Sequence, residues 1–330
     1  MTTIVRSLEE GDFRRETLAA ALRLTGRDQE NLFALARRRR DRYYPERIVQ
    51  VRSVIEISNV CRQRCNFCNI GHRPDEWYRI NRDAFLAAVS ILYAKGRRFL
   101  MIQSGENGSQ EFVDHVAECL RALKTRFPGM NVILCLGNLE ERQYLQLKEA
   151  GAESYILKFE TSSAALYRKL KPRDTLKRRL ACIDSCFRAG LKVGSGDIVG
   201  LPGQTLDDLV DDLFLLGEYD FSMQSCSVFI PNERSRYRDE PMGSLDLTLD
   251  VLALMRIMYP RRLMPTTSSL EKPRPDGQHL GLMAGANTVT CHDGTPEELK
   301  RLFPIYSVKR FTPREEHLAQ IVRKAGLTLP

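Results

Sequence analysis

Three of the chain's nine cysteines fall within eight residues, in the run Cys61-Arg62-Gln63-Arg64-Cys65-Asn66-Phe67-Cys68. Thiols crowded onto one short segment point to metal or catalytic use. Three thiolates can hold three irons of a [4Fe–4S] cubane and leave the fourth iron without a protein ligand, which is where chemistry can occur. The rival use is a tetrahedral zinc site completed by His72, four residues after Cys68. An odd cysteine count, and a start that is charged every few residues from Met1 to Arg15, argue against a disulfide framework and lead us to expect a cytoplasmic protein.

Other residues could do chemistry beside these. Ser104-Gly105-Glu106 follows a β-rich run, Glu160 ends another, and Arg179 lies on a helical segment. The run Gly194-Ser195-Gly196-Asp197-Ile198-Val199-Gly200-Leu201-Pro202-Gly203 reads as a glycine-rich strand closed by a turn, where backbone can approach a flat ligand. No Gly-Lys-Ser/Thr follows, which excludes a phosphate loop. Cys135, Cys226 and Cys291 fall on strand candidates and read as buried thiols first, while Cys119, Cys182 and Cys186 fall on helices. His115, His279, His292 and His317 lack metal-ligand spacing.

These residues need a scaffold, and the pattern supplies one. Up to about residue 50 the periodicity is helical, at Leu8–Leu24 and Asn31–Tyr44. From Val51 onward short β-rich runs alternate with amphipathic helices. Strands are expected at Val54–Val60, Arg98–Gln103, Asn131–Leu136, Ser154–Glu160, Val193–Val199, Met223–Ile230, Leu263–Ser268 and Thr288–Cys291. Eight β/α repeats predict an α/β fold, a closed (β/α)8 TIM-type barrel over residues 51–330 with a helical N-terminal extension over residues 1–50 and a C-terminal helix near Pro313–Lys324. An open doubly wound sheet is the alternative. In the barrel the cysteine loop follows the first strand, at the mouth where barrel enzymes build their sites, which favours the cluster over zinc.

A C-x3-C-x2-C with an aromatic, Phe67, before its last cysteine, in a loop after the first strand, resembles the signature of the radical S-adenosylmethionine (SAM) superfamily. That resemblance implies a [4Fe–4S] cluster on Cys61, Cys65 and Cys68 that cleaves SAM to a 5′-deoxyadenosyl radical. It further implies that Ser104, Gly105 and Glu106 meet the SAM amino group, Glu160 the ribose, Arg179 the carboxylate, and Ile198 and Gly200 the adenine. Residues of about 51 to 309 resemble the branch containing biotin synthase, methylornithine synthase and the HydE maturase, through Glu56-Ile57-Ser58-Asn59-Val60-Cys61, Gly200 to Asp212, Phe229-Ile230-Pro231 and Met283-Ala284-Gly285-Ala286-Asn287. HydE has Arg-His where this chain has Lys158-Phe159, and a histidine where it has Asn232.

For the substrate, strand alternation turns Lys158 to the same side as Glu160, and a buried ammonium needs an anion. Either a substrate anion or Asp197 could supply it. Cys135, Ser225, Thr267, Ser268 and Tyr306 are the further substrate candidates. The expected activity is hydrogen abstraction from a small anionic, amino-acid-like or sulfur-containing molecule, with hydrogenase maturation and a zinc-stabilised basic binding protein as alternatives. The formal charge of +8 comes from scattered clusters at Arg37–Arg40, Arg62 with Arg64, Arg168–Arg179, and Arg261 with Arg262. No aromatic-interleaved basic motif supports nucleic-acid binding, and no apolar run approaches the roughly 18 residues of a membrane span. Arg62 and Arg64 could attract an acidic flavodoxin or ferredoxin-type electron donor.

Overall fold

The computed structural model describes residues 3–71, 76–304 and 314–330. Three helices come first: α1 (Thr3–Glu9), α2 (Arg15–Ala21) and α3 (Gly26–Tyr43). The repeats then run β1 (Gln50–Ser58), α4 (Arg82–Ala94), β2 (Phe99–Ser104), α5 (Gln110–Arg126), β3 (Asn131–Cys135), α6 (Glu141–Glu149) and β4 (Ser154–Ile156). Two helices follow β4, α7 (Ala164–Leu170) and α8 (Leu176–Arg188). Next come β5 (Lys192–Val199), α9 (Leu206–Gly217), β6 (Met223–Val228), α10 (Leu245–Met258), β7 (Pro265–Thr266), α11 (Gly277–Met283) and β8 (Thr288–Cys291). The short α12 (Glu297–Lys300) and α13 (Glu315–Lys324) complete the chain.

All eight strands are parallel neighbours in one sheet, β6-β5-β4-β3-β2-β1-β8-β7. The circle closes between β6 and β7 through the bridge Met223–Leu263, where Leu263 N–H donates to Ser222 O at 3.0 Å. This is the expected (β/α)8 barrel. Side-chain caps start several of the barrel helices, such as Asn81 on α4, Ser109 on α5, Thr175 on α8 and Thr205 on α9, each accepting from a backbone N–H one turn on.

Three elements differ from expectation, each for a local reason. β7 is two residues long because Pro265 lacks an N–H and the chain turns into a 3-10 helix at Ser268–Glu271. The first helical stretch divides in two at Gly11, which has a φ of +91°. Regular pairing of β4 stops at Ile156, and the cause lies in the functional site.

Candidate active site

Alternation along the strands stacks two layers of side chains inside the barrel. Val54, Met101, Ile133, Ile156 and Met223 form an apolar plug. Towards the C-terminal strand ends, Gln103, Cys135, Lys158 and Ser227 line a cavity of about 260 Å3, walled on another side by Cys61, Cys65 and Cys68.

The cysteine loop is held from both flanks. Arg62 N–H donates to Glu106 O at 2.9 Å, and Gly105 N–H donates to Ser58 O at 3.0 Å. On the other flank Asn66 donates through its backbone to Leu170 O at 2.7 Å and through its side chain to Lys169 O at 2.6 Å. Gly105 is there because of close approach: a Cβ at that position would stand 2.5 Å from Val60 O and 2.7 Å from Cys61 Cβ. None of the three cysteines is in a disulfide. Burial, followed by the neighbouring Cys61, pushes the Cys68 thiol up to about 12, and burial raises Cys65 as well. Thiolates here need the positive charge of a metal centre to form. Among the described residues no three His, Cys, Asp or Glu side chains gather as a single-ion site. His72, the expected fourth zinc ligand, lies outside the described residues.

Glu106 sits at the centre of a buried polar network. Its Oε2 is 3.2 Å from Arg179 Nη2 and 3.7 Å from Lys171 Nζ, and its Oε1 accepts from Gln63 Nε2 at 2.7 Å. Arg179 also donates to Tyr167 Oη at 3.1 Å, and Tyr167 donates to Asp174 Oδ2 at 2.7 Å. Arg179 and Glu106 are therefore already paired with each other. Gln63 and Lys171 were not among the expected residues. Gln63 could have been suspected from its place between the cysteines, and Lys171 from the basic run that contains it.

Lys158 and Glu160 both line the cavity, with Lys158 Nζ 3.3 Å from Glu160 Oε2 and 3.3 Å from Ser227 Oγ. Their common side does not come from a regular strand. Leu157 N–H donates to Gly194 O, yet it is Glu160, not Phe159, whose N–H reaches Gly196 O. β4 thus carries one extra residue against β5, a bulge. Ser195 patches the gap by donating to Leu157 O at 2.9 Å and accepting from Phe159 N–H at 3.3 Å, while Glu160 takes a φ of +67°.

The expected Lys158–Asp197 pair is not formed. Ile198 lines the cavity, so its neighbour Asp197 faces the opposite side, towards Asp212 of α9. Among the described residues neither Asp197 oxygen has a hydrogen-bond partner, and burial, then Asp212, raises its pKa well above the usual range. Gly196 of β5 also answers a close approach within the sheet, since a Cβ there would fall 1.7 Å from Ser225 O.

Of the other expected residues, Phe67, Ser104, Gly105 and Cys135 line the cavity. Burial, then Glu160, pushes the Cys135 thiol up to about 11, so it is a neutral thiol at neutral pH. Gly200 stands off the cavity, donating to Gln204 Oε1 at 2.7 Å. Ser225 lies deeper on β6, and its neighbour on the same face, Ser227, takes the place expected for it. Thr267 and Ser268 open the 3-10 turn instead, with Thr267 Oγ1 2.8 Å from Ser269 Oγ. Tyr306 lies outside the described residues.

Residues 55–216 match the Radical SAM superfamily. The chain is 35% identical over 309 residues to the [FeFe] hydrogenase maturase subunit HydE of Thermotoga maritima, covering 93% of this chain and 87% of that one. The chain belongs to the radical SAM superfamily. Within it the chain sits in the HydE-like branch and is also similar to 3-methylornithine synthase of Methanosarcina barkeri, at 27% identity over 79% of this chain and 74% of that protein. The crystal structure of methylornithine synthase (PylB) shares the fold, with a TM-score of 0.85 at 24% identity over 99% of this chain and 97% of that one. The radical SAM cofactors, a [4Fe–4S] cluster and SAM, are this enzyme's cofactors. The cavity fits such ligands: among the described residues Gln103 Oε1 is a buried acceptor without a hydrogen-bond donor and Glu160 Oε2 meets only the Lys158 ammonium, which leaves room for a molecule that brings ammonium and hydroxyl groups. No described helix is long and apolar enough to cross a membrane.

Proposed function

We propose that this radical SAM enzyme abstracts hydrogen from a small anionic, amino-acid-like or sulfur-containing substrate and so drives rearrangement, fragmentation or sulfur chemistry. The observation that carries this is one cavity shared by three cysteine thiols, the Glu106–Arg179 pair and the Lys158–Ser227 pair. When bound, the cluster supplies one electron that cleaves SAM to methionine and a 5′-deoxyadenosyl radical. Cys61, Cys65 and Cys68 hold the irons. Glu106 and Arg179 orient the SAM amino and carboxylate groups, with Lys171 and Gln63 fixing Glu106. Glu160 receives the ribose, and Lys158 with Ser227 holds the substrate anion. The electron comes from a flavodoxin or ferredoxin-type protein.

Anaerobically purified protein should be brown, with about four irons and four sulfides per chain. SAM and a strong reductant should yield 5′-deoxyadenosine, and Cys65→Ala should abolish this while leaving the barrel folded. A colourless protein carrying stoichiometric zinc would overturn the assignment. Hydrogenase maturation is the narrower alternative, favoured by the 35% identity to HydE and tested by complementation of a strain lacking that maturase.

A further inference from the structure

The basic clusters read in the sequence have different fates in the fold. Arg37 and Arg40 donate to the carbonyls of Met283 and Leu282, and Arg38 and Arg39 bind Glu9. Arg262 donates to Leu216 O and Tyr219 O, and Arg261 lies over the Tyr43 ring. These cations are consumed in holding the structure together. The run from Arg168 to Arg179 is divided instead. Lys171 and Arg179 turn inward to Glu106, while Arg168, Lys169, Arg173, Lys177 and Arg178 are exposed, and none of these five forms an ion pair among the described residues.

The end of this run is joined to the cysteine loop. Asn66 takes the carbonyls of Lys169 and Leu170, at the end of α7, and Arg173 Nη1 donates to Arg62 O at 2.9 Å. Arg62 and Arg64, exposed on the loop itself, also lack ion pairs among the described residues. Arg62, Arg64, Arg168, Lys169 and Arg173 therefore make one positive face over the outer side of the thiol site. The acid within the run, Asp174, is buried and spent on Tyr167 and Asn138. Keeping unpaired like charges together on a surface is unfavourable and is relieved by an acidic partner.

We infer that this face, the cysteine loop together with the end of α7, is the docking surface for an acidic one-electron carrier protein. It rests on the proposed cluster site and adds α7, none of whose residues lines the cavity, as a partner-recognition element. Attraction steers encounter and weakens with salt, since the screening length shrinks from about 30 Å at 0.01 M to about 8 Å at 0.15 M.

The test measures binding of a fluorescently labelled acidic flavodoxin by anisotropy over that salt range. Wild type is compared with Arg168→Glu/Lys169→Glu and with Arg27→Glu/Arg42→Glu, which makes the same charge change on other surfaces. The α7 variant should lose roughly tenfold or more in affinity at low salt, about 1.4 kcal/mol, and most of its salt dependence, while the control stays within about threefold of wild type. Dithionite-driven SAM cleavage should be equal in all three. Equal loss in both double variants, or none in either, overturns the inference. Failure of the cluster assignment would show separately, as wild-type protein without iron, because binding is read without turnover.

Discussion

A lysine inside a barrel needs an anion within reach, and Lys158 finds one two residues along the chain in Glu160. The same carboxylate is the proposed ribose partner, so Lys158 serves two purposes, holding Glu160 and presenting a cation to the substrate. Lys158→Met keeps the length and removes the charge. Substrate turnover should fall at least about tenfold, the scale of one lost charged contact, while 5′-deoxyadenosine continues to form without product. The ratio of 5′-deoxyadenosine to product checks this, and an unchanged ratio with full turnover would remove Lys158 from the substrate site.

At the level of elements, β4, β5 and α9 meet at the turn that carries Glu160. Asp212 of α9 accepts from Ser162 N–H, tying the turn to the helix, and Asp197 of β5 faces the same place. Burial, opposed in part by Ser162, raises the Asp212 pKa to about 7. An acid whose pKa is raised binds its proton more tightly when folded. The stability it contributes is therefore full below the unfolded value, near 3.8, and lost as pH rises to about 7. Wild-type Tm should fall between pH 5 and pH 8. Asp197→Asn, which sacrifices no hydrogen bond, should flatten that decline and raise Tm at pH 8 by on the order of 2–5 °C. Parallel Tm curves for the two proteins would show that the pair carries no pH dependence.

Over the whole molecule, the N-terminal helices are built into the barrel wall. Arg37 and Arg40 of α3 cap carbonyls at the end of α11, and Arg256 of α10, fully buried, donates to Gly285 O, Pro260 O and Asn287 Oδ1 beside them. Asn287 in turn accepts from Met264 N–H and so ties β7 to β8. Removing residues 1–44 would leave the end of α11 uncapped and strip apolar cover from α10. We expect an insoluble product, or a drop in Tm of about 10 °C or more by circular dichroism. A truncated chain melting with wild type would show that the extension is dispensable.

The cysteine loop, the eight β/α repeats and the Ser104–Glu106 turn were legible in the sequence because each is written in a few adjacent residues. Their meaning lies in local spacing and period, which the chain carries whatever else it packs against. α7 escaped notice because seven residues are too few to show a period, although Ser163 caps it. The facing of Asp197 was half legible, since Ile198 and Asp197 are adjacent on a strand and cannot both enter the barrel. What no local pattern holds is the register between strands. The extra residue in β4 sets where Glu160 points, and it is visible only against the hydrogen bonds of β5. The meeting of Glu106 with Arg179 and Lys171 likewise depends on which way a basic run turns once the barrel closes. Tertiary structure decided those pairings because desolvation makes a buried charge depend on its neighbours in space rather than in sequence.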